Sequence, residues 1–201
     1  VRNFAHSIKQ YAPTARVVVA MQPVASLAFL VYRELRADPG QVIGLSGGIA
    51  NAYLKTQIAN QLGVSVQDVT TFVIGNDEAI YPLPQYCRVS GIPLEQLLDA
   101  TQIDELTGAA NDWHKRSVSA DMTYSLSIWI SQIVTAIALD KKRMMSVSSL
   151  IRARESEVYL TVPTKIGRNG AEEILQLDLT DAQREQFTQL VAKSVAEQRS
   201  F

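Results

Sequence analysis

The sequence has few of the residues that build metal sites or disulfides. It contains one cysteine, Cys87, and two histidines, His6 and His114. A single cysteine excludes an internal disulfide, and these few ligands cannot assemble a zinc site of ordinary Cys and His spacing. We therefore predict a chain without a bound metal, in which Cys87 is an unreactive residue of an apolar strand.

The charge is balanced, with 19 Lys and Arg against 20 Asp and Glu and a formal net charge of −1. Because no run of like charge stands out, we expect neither nucleic acid nor anionic lipid as a partner. Residues 122–139 form an uncharged stretch of 18 residues, but Ser, Thr and Gln interrupt it, which favours a helix buried in a soluble core over a membrane span. No positively charged leader precedes an apolar core, so we expect a cytoplasmic protein.

Two apolar runs in residues 42–84 organise the chain. Residues 42–45 and 69–74 are typical of strands, and each run ends in a turn, at 46–48 and at 75–78. A helical pattern lies between them and ends at Gly63, a typical C-cap. We expect both turns at one edge of a sheet, which is where open α/β sheets bind ligands.

The segment before these runs is a βαβ unit. A helical face at residues 4–11 is followed by a strand at 16–21 and a helix that begins at Pro23 and ends near residue 38. The handedness rule for such units predicts a parallel pairing with the strand at 42–45. One βαβ unit cannot bury both faces of its sheet, so we expect either strands upstream of Val1 or a second chain to cover the open edge.

The second half of the chain mixes helices with antiparallel strands, so the predicted fold class is α/β to α+β. A strong hairpin signal, Asn169-Gly170, separates the last two strands, and Thr180 to Gln183 has the spacing of a capping box that opens the final helix. The predicted elements are a strand at 85–90, helices at 94–98, 102–119 and 121–139, strands at 143–150, 158–166 and 173–179, and a helix from 181.

Five segments, in this order, resemble the C-terminal half of the lactate and malate dehydrogenase family. They are VIGLSGG with the helix that follows, LGVSVQDVTTFVIG, YPLPQYCRVSGIPLEQLL, IALDKKRMMSVSSLI and VPTKIGRNGAEEILQLDLTDAQREQF. The resemblance implies that residues 1–45 are a remnant of a dinucleotide-binding Rossmann domain. It implies that residues 46–201 form the family's mixed α+β C-terminal domain.

The resemblance also shows which family parts lie outside this sequence. The glycine-rich loop G-x-G-x-x-G and the mobile loop with a substrate arginine both belong upstream of Val1, so we expect no cofactor here, and NAD only if a full-length parent supplies that loop. Gly47 and Gly48 lack the spacing of a phosphate loop. Gln22-Pro23 stands where the family has Asn-Pro, which leaves Gln22 as a weak cofactor contact.

The family's catalytic positions carry other residues here. The aspartate that orients the catalytic histidine corresponds to Ala50, and the arginine that clamps the substrate carboxylate corresponds to Tyr53. The histidine falls at Asn76 or Asp77, in a turn one residue shorter than the family's. Lys55 follows Tyr53 by two residues and faces elsewhere on the helix, so it does not replace the clamp.

Each of these residues also has a structural interpretation. Asp77 and Glu78 are either a general base in a rebuilt pocket or, the better fit, solvated turn residues. Tyr53 either donates a hydrogen bond to a neutral ligand or packs on a neighbouring helix. His114 lies between Asp112 and Lys115-Arg116 in sequence and is either an anion ligand or part of an exposed helix turn, and from its position neither histidine should replace the family's. Trp113 and Trp129 are expected to be core or interface anchors.

Three functions remain open, and whether the chain is an enzyme is among the open points. The first is a catalytically silent relative of lactate and malate dehydrogenases with a structural, assembly or regulatory role. The second is an NAD(P)-dependent oxidoreductase acting on a substrate without a carboxylate, with Asp77 or Glu78 moving the proton. The third is a small-molecule binding module. For all three we expect a homo-oligomer, or a missing N-terminal segment or partner chain, since the sheet edge is open.

Overall fold

A computed structural model describes residues 1–117, 123–153 and 156–201, and it confirms the mixed α/β fold class. The helices are α1 Arg2–Tyr11, α2 Val24–Leu35, α3 Gly48–Leu62, α4 Ala100–Ser117, α5 Thr123–Ala138 and α6 Asp181–Arg199. The strands are β1 Val17–Val19, β2 Val42–Gly44, β3 Val69–Thr70, β4 Val73–Gly75, β5 Ile80–Pro82, β6 Arg88–Val89, β7 Ile92–Pro93, β8 Arg143–Ala153, β9 Ser156–Gly167 and β10 Gly170–Ile174.

A long antiparallel ribbon is the centre of the larger sheet. β8 and β9 pair from Arg143 with Ile166 to Ala153 with Ser156, and the seven-stranded sheet has the order β1-β2-β8-β9-β4-β5, with β10 also paired to β9. β1 and β2 are parallel, as the βαβ pattern predicts. β3, β6 and β7 form a separate three-stranded sheet.

The two strand ends that organise the chain meet in one row of this sheet but arrive from opposite directions. Gly44, the last residue of β2, pairs with Ser148, which pairs with Thr161, which pairs with Gly75, the last residue of β4. Each of the three pairings is antiparallel, so β2 and β4 run in opposite directions. The prediction of a shared carboxyl edge is therefore wrong, and the ends are brought level by the ribbon between them.

Buried hydroxyl groups supply hydrogen bonds just after the end of β2 and at the first residue of β4. Ser146 Oγ accepts the N–H of Val73 at 3.3 Å, and Thr161 Oγ1 donates to Ser46 Oγ at 2.9 Å. Ser149 and Thr164 share a further hydrogen bond of 3.0 Å between their hydroxyls. A polar belt of small side chains therefore crosses the middle of an otherwise apolar sheet.

Helices cover both faces of the sheet around β2. Adjacent strand residues point to opposite sides, and Val42 packs into a core with α1 and α2 while Ile43 packs into a core with α5. The helix α6 docks on β9 through Gln198, whose side-chain amide bonds both the N–H and the C=O of Tyr159 at 2.8 Å. Gln198 thus acts as one residue of an extra strand.

Most predicted elements are confirmed, and the differences have local causes. The run at 69–74 is two strands in two sheets, because Asn51 of α3 donates to the carbonyl of Thr71 at 3.0 Å between them. The predicted strand at 85–90 starts as a 3-10 turn, Pro84–Tyr86, and only Arg88–Val89 is a strand. The predicted helix at 94–98 is likewise a 3-10 turn, Leu94–Gln96, and the last strand ends at Ile174 rather than residue 179.

Other boundaries agree or cannot be compared. The capping box at Thr180 forms as predicted. The first helix forms as predicted, and of its apolar face Ala5 is buried while Phe4 and Tyr11 are 77% and 78% exposed. The predicted helix ends at 119 and 121 lie outside the described residues. Among the residues described, no helix combines the length and apolarity that crossing a bilayer requires.

The glycine pair after β2 makes room for an aromatic ring. Gly47 has a left-handed φ of 79°, and a Cβ at Gly48 would overlap the indole of Trp129 from α5. Trp129 is partly buried and packs with the core formed by α5, β2, β8 and β9, as expected of a core anchor. Gly48 therefore serves close packing between α3 and α5, while a Cβ at Gly47 would meet the side chain of Thr161 in β9.

We expect the substitution Gly48→Ala to lower the free energy of unfolding by about 1–3 kcal/mol, because the new methyl group must displace Trp129. Urea denaturation checks this. Gly108→Ala is the matched control, since Gly108 lies within α4 and a Cβ there meets no atom within 4 Å. The control should be neutral or stabilising by up to about 1 kcal/mol, and equal stability of the two variants would contradict the packing role.

Candidate functional site

The clamp and orienter positions face the protein interior. Ala50, on α3, is 2% exposed and has no polar side-chain atom. Tyr53, one turn further, stacks on Trp113 of α4 with ring centroids 4.9 Å apart and an interplanar angle of 11°. The ring packs against a neighbouring helix, the second of the two interpretations of Tyr53. The stacked ring carries no positive charge with which to clamp a carboxylate bidentately.

The side chain of Asn76, directly after β4, is hydrogen-bonded within the turn that this residue begins. Its Oδ1 accepts the N–H groups of Glu78 and Ala79 at 2.9 and 3.0 Å, and its Nδ2 donates to Ser194 Oγ on α6 at 3.1 Å. The residue is 3% exposed. Its three hydrogen bonds hold the turn and connect it to α6, so Asn76 has a structural role at this position.

Asp77 points at the start of α2. Its Oδ2 accepts the N–H of Ala25 at 2.9 Å, while its Oδ1 is buried and has no hydrogen-bond partner. Burial raises the pKa of this carboxyl to about 6, against the opposing effect of the backbone N–H groups of Ala25, Ser26 and Val24. A helix N-terminus favours a negative charge, so the contact is a side-chain cap supplied from 52 residues away.

The solvated-turn interpretation holds for one residue of this turn and fails for the other. Glu78 is exposed and forms an ion pair with Lys193 on α6. Asp77 is partly buried and bonded to α2, so its assignment as a solvated turn residue is wrong. The reason is tertiary, because the first turn of α2 supplies the donors that water would otherwise provide.

His114 lies at the same turn, which contradicts its interpretation as part of an exposed helix turn. It is 7% exposed rather than on an exposed helix turn, and its ring faces the backbone carbonyls of Asn76 and Asp77, next to the position of the family's histidine. Burial lowers its pKa despite those carbonyls, and its Nε2 is buried without a hydrogen-bond partner. The spacing of Ile103, Ala110 and His114 along the buried face of α4 was the available sequence signal.

A single helix therefore contacts Tyr53 of α3 and the turn at Asn76 and Asp77. From α4, Trp113 stacks on Tyr53, His114 faces the turn at Asn76 and Asp77, and Asn111 Oδ1 accepts the N–H of Ile80 in β5 at 3.2 Å. The helix holds α3 and the β4–β5 hairpin together. The side chains that it presents are those of a packing helix.

The remaining candidates lie apart from this cluster. Gln22 is exposed just before α2. Lys55 lines a cavity of about 540 Å³ with Arg143 and Thr70, where burial first and Arg143 second lower its pKa, so it faces away from Tyr53 as expected. Cys87 is buried between the 3-10 turn Pro84–Tyr86 and β6 rather than within a strand, and burial raises the pKa of its thiol to about 12, which supports its interpretation as an unreactive residue.

Neither a metal nor a dinucleotide phosphate fits the described residues. Residues 1–117, 123–153 and 156–201 contain no group of three His, Cys, Asp or Glu side chains that could hold a metal ion. A pyrophosphate needs open backbone at a glycine turn. The space in front of Gly48 is filled by Trp129, so the glycine pair offers no cradle for it.

Comparison with known proteins identifies close similarity to one group of enzymes. Residues 51–197 match the family model described as lactate/malate dehydrogenase, alpha/beta C-terminal domain. Malate dehydrogenase of Picrophilus torridus is 32% identical over 95% of this chain and 62% of its own length. For malate dehydrogenase of Bacillus subtilis the values are 32%, 95% and 64%. The chain thus spans less than two thirds of these relatives.

Solved structures agree with the sequence relatives. The apo structure of Picrophilus torridus malate dehydrogenase superposes with a TM-score of 0.88 at 30% identity, covering 99% of this chain and 65% of that one. Lactate dehydrogenase of Cryptosporidium parvum, complexed with lactic acid and nicotinamide adenine dinucleotide, gives a TM-score of 0.83 at 26% identity, with coverages of 99% and 65%. The fold around the site is therefore shared with both enzymes.

The Tyr53 stack makes a testable distinction between its ring and its hydroxyl. Tyr53→Ala should cost about 1–3 kcal/mol of unfolding free energy because it removes the stack on Trp113. Tyr53→Phe keeps the ring and should stay within about 0.5 kcal/mol of the parent chain. Chemical denaturation measures both, and a loss in Tyr53→Phe as large as in Tyr53→Ala would mean that the hydroxyl holds the helices.

Proposed function

Because the chain belongs to the lactate/malate dehydrogenase family, we propose that it is a catalytically silent member, with a structural, assembly or regulatory role. The observation that carries the proposal is the occupation of the family's catalytic positions. Ala50 has no polar side-chain atom, and Tyr53 is stacked on Trp113. The side-chain amide of Asn76 forms hydrogen bonds with its own turn and with Ser194. Ala50 and Asn76 therefore have no uncommitted polar group for a substrate, and Tyr53 has no positive charge for a carboxylate.

The energetic scale supports this proposal. A positioned acid or base contributes about 10²- to 10⁴-fold to a rate. Removing one partner of a buried charge pair costs about 2–5 kcal/mol. In the family's arrangement the base and its orienter act together, so their losses are not additive, but the larger one alone is disabling. Absence of a carboxylate clamp at Tyr53 further removes the group that would hold a 2-hydroxy acid.

One observation favours a second candidate, an NAD(P)-dependent oxidoreductase acting on an uncharged substrate. The carboxyl of Asp77 has a pKa of about 6, within the range useful to a general base at neutral pH, and His114 lies beside the same turn. Against it, the Oδ2 of Asp77 is bonded to Ala25 of α2. The cofactor would have to be held by sequence upstream of Val1.

A dehydrogenase assay on the full-length protein, including whatever precedes Val1, separates the two candidates. We expect no reduction of NAD or NADP above background with malate, lactate or a panel of uncharged secondary alcohols, with Picrophilus torridus malate dehydrogenase as the positive control. Turnover of malate or lactate would overturn the proposal. Turnover of an uncharged alcohol that disappears in Asp77→Asn would establish the second candidate instead.

We also propose that the segment around β1 is covered in the working protein, by a second copy or by chain that precedes Val1. The support is an open edge and exposed rings. β1 lies at the end of the sheet order, and Phe4 and Tyr11 of the neighbouring α1 are exposed. We further propose that residues 1–45 are the remnant of a dinucleotide-binding domain, that residues 46–201 form the C-terminal domain, and that the protein is cytoplasmic.

Light scattering tests the self-association arm. We expect a mass of at least twice the 22.1 kDa of the chain, and we expect Phe4→Ser with Tyr11→Ser to shift the population towards the monomer because it removes apolar contact area. Lys9→Ser, on the same helix, is the control and should leave the mass unchanged. A monodisperse monomer of the parent chain would contradict self-association.

A further inference from the structure

A cavity of about 540 Å³ lies between α3, α5 and the start of β8. Each of the two helices turns one face towards it, because side chains three and four residues apart on a helix are neighbours. These faces are formed by Asn51, Ala52 and Lys55 of α3 and by Ile128, Trp129 and Gln132 of α5. None of the family's catalytic positions lines this cavity, so it is a separate feature of the chain.

The two charged side chains that line the cavity are both cationic. Lys55 is half-buried, and Arg143 is exposed at the first position of β8. In the part of the chain that the structure describes, no Asp or Glu lines the cavity, and neither of the two cations forms an ion pair. Burial first and Arg143 second disfavour the charged form of Lys55 by lowering its pKa. A negatively charged group between them would relieve this repulsion.

Much of the remaining wall is apolar. It includes the side chains of Phe72, Ile128, Trp129, Met144 and Met145. Ile128 and Met144 are 46% and 38% exposed, so solvent reaches the cavity beside them. A concave site of about 300–1,000 Å³ with an apolar wall and a few polar groups is typical of small-molecule binding.

We propose that this cavity binds a small carboxylate with an apolar body, whose charge is held by Lys55 and Arg143 and whose body packs on Trp129. A guanidinium group can bind both oxygens of a carboxylate, and an ammonium group can donate to one of them. Inorganic phosphate carries charge but has no group that would cover the apolar wall. The inference does not depend on whether the chain catalyses a reaction, since Lys55 faces away from Tyr53.

NMR titration of the full chain tests the site at Trp129. The indole N–H of Trp129 has no hydrogen-bond partner among the described residues, so its resonance is a sensitive reporter, and Trp129→Phe identifies it. The probes are phenylacetate, benzoate and hexanoate. We expect at least one of them to shift this resonance saturably, with a Kd of about 1 mM or below. The indole resonance of Trp113, which does not line the cavity, should stay unchanged.

Two further compounds separate the charge from the apolar contact. Phenylacetamide has the body of phenylacetate without its charge. Inorganic phosphate has the charge without the body. We expect each of them to bind at least about tenfold more weakly than the best carboxylate, because each lacks one of the two complementary parts.

Three variants locate the charge that is recognised. Lys55→Gln and Arg143→Gln should each weaken carboxylate binding about tenfold, since each removes a hydrogen bond to a charged group. Lys141→Gln is the matched control, because it removes the same charge two residues from Arg143 but outside the cavity wall. It should change the Kd by less than about twofold. Urea denaturation of each variant shows that it is folded under the conditions of the titration.

Four results would overturn the proposal. The first is the absence of a saturable shift at Trp129 with all three carboxylates up to about 10 mM. The second is binding of phenylacetamide as tight as that of phenylacetate. The third is equally tight binding of inorganic phosphate, which would indicate a plain anion site. The fourth is an equal loss of affinity in Lys141→Gln and Lys55→Gln, which would indicate unspecific attraction to the surface charge.

Discussion

The pairing of β8 with β9 is the constraint on which the rest of the structure depends. Their ladder runs from Arg143 with Ile166 to Ala153 with Ser156. The other strands of the larger sheet flank this ribbon, with β2 and then β1 beside β8, and with β10, β4 and β5 on the side of β9. β2 and β4 each join it through a single residue pair, Gly44 with Ser148 and Gly75 with Thr161. The ribbon thereby fixes the positions of the turns that follow β2 and β4, although neither turn is part of the ribbon.

The packing of helices against these two turns then determines which of the nearby polar side chains are available to a ligand. In this chain α4 lies against them and supplies Trp113, His114 and Asn111 to α3 and to the β4–β5 hairpin. A substrate site needs polar groups that stay uncommitted until a ligand arrives. Here the ring of Tyr53 is stacked on Trp113 and the amide of Asn76 is hydrogen-bonded to its own turn and to Ser194, so both side chains contribute to the packing between helices and hairpin.

Local patterns predicted the elements well, and long-range partners limited the rest. The capping box at Thr180 and the hairpin at Asn169-Gly170 were readable because their hydrogen bonds join residues close in sequence. The break within residues 69–74 depends on Asn51, and the role of Asp77 depends on Ala25, so neither could be read from its own neighbours. Family membership and fold class could be predicted from five segments that follow each other in the order of the family, because a resemblance over whole segments persists when single residues differ.

The histidine shows the same limit most clearly. Its polar neighbours Asp112, Lys115 and Arg116 suggested an exposed turn, yet the helix period buries His114 while those neighbours face outward. The residues next to His114 in sequence indicated only the exposed face of α4. Its buried face is indicated by the helical spacing of Ile103, Ala110 and His114.

The hydroxyl belt of the central sheet narrows which side chains those positions can accept. Ser146 Oγ accepts a backbone N–H of β4, and Thr161 Oγ1 donates to the hydroxyl of Ser46 directly after Leu45. Valine in place of Thr161 or alanine in place of Ser146 would have a side chain of similar volume. Each would nevertheless leave a buried polar group, the hydroxyl of Ser46 or the N–H of Val73, without its hydrogen-bond partner. In a library of random variants these sites should therefore tolerate a swap of one alcohol for another far better than a swap for a hydrocarbon of the same size.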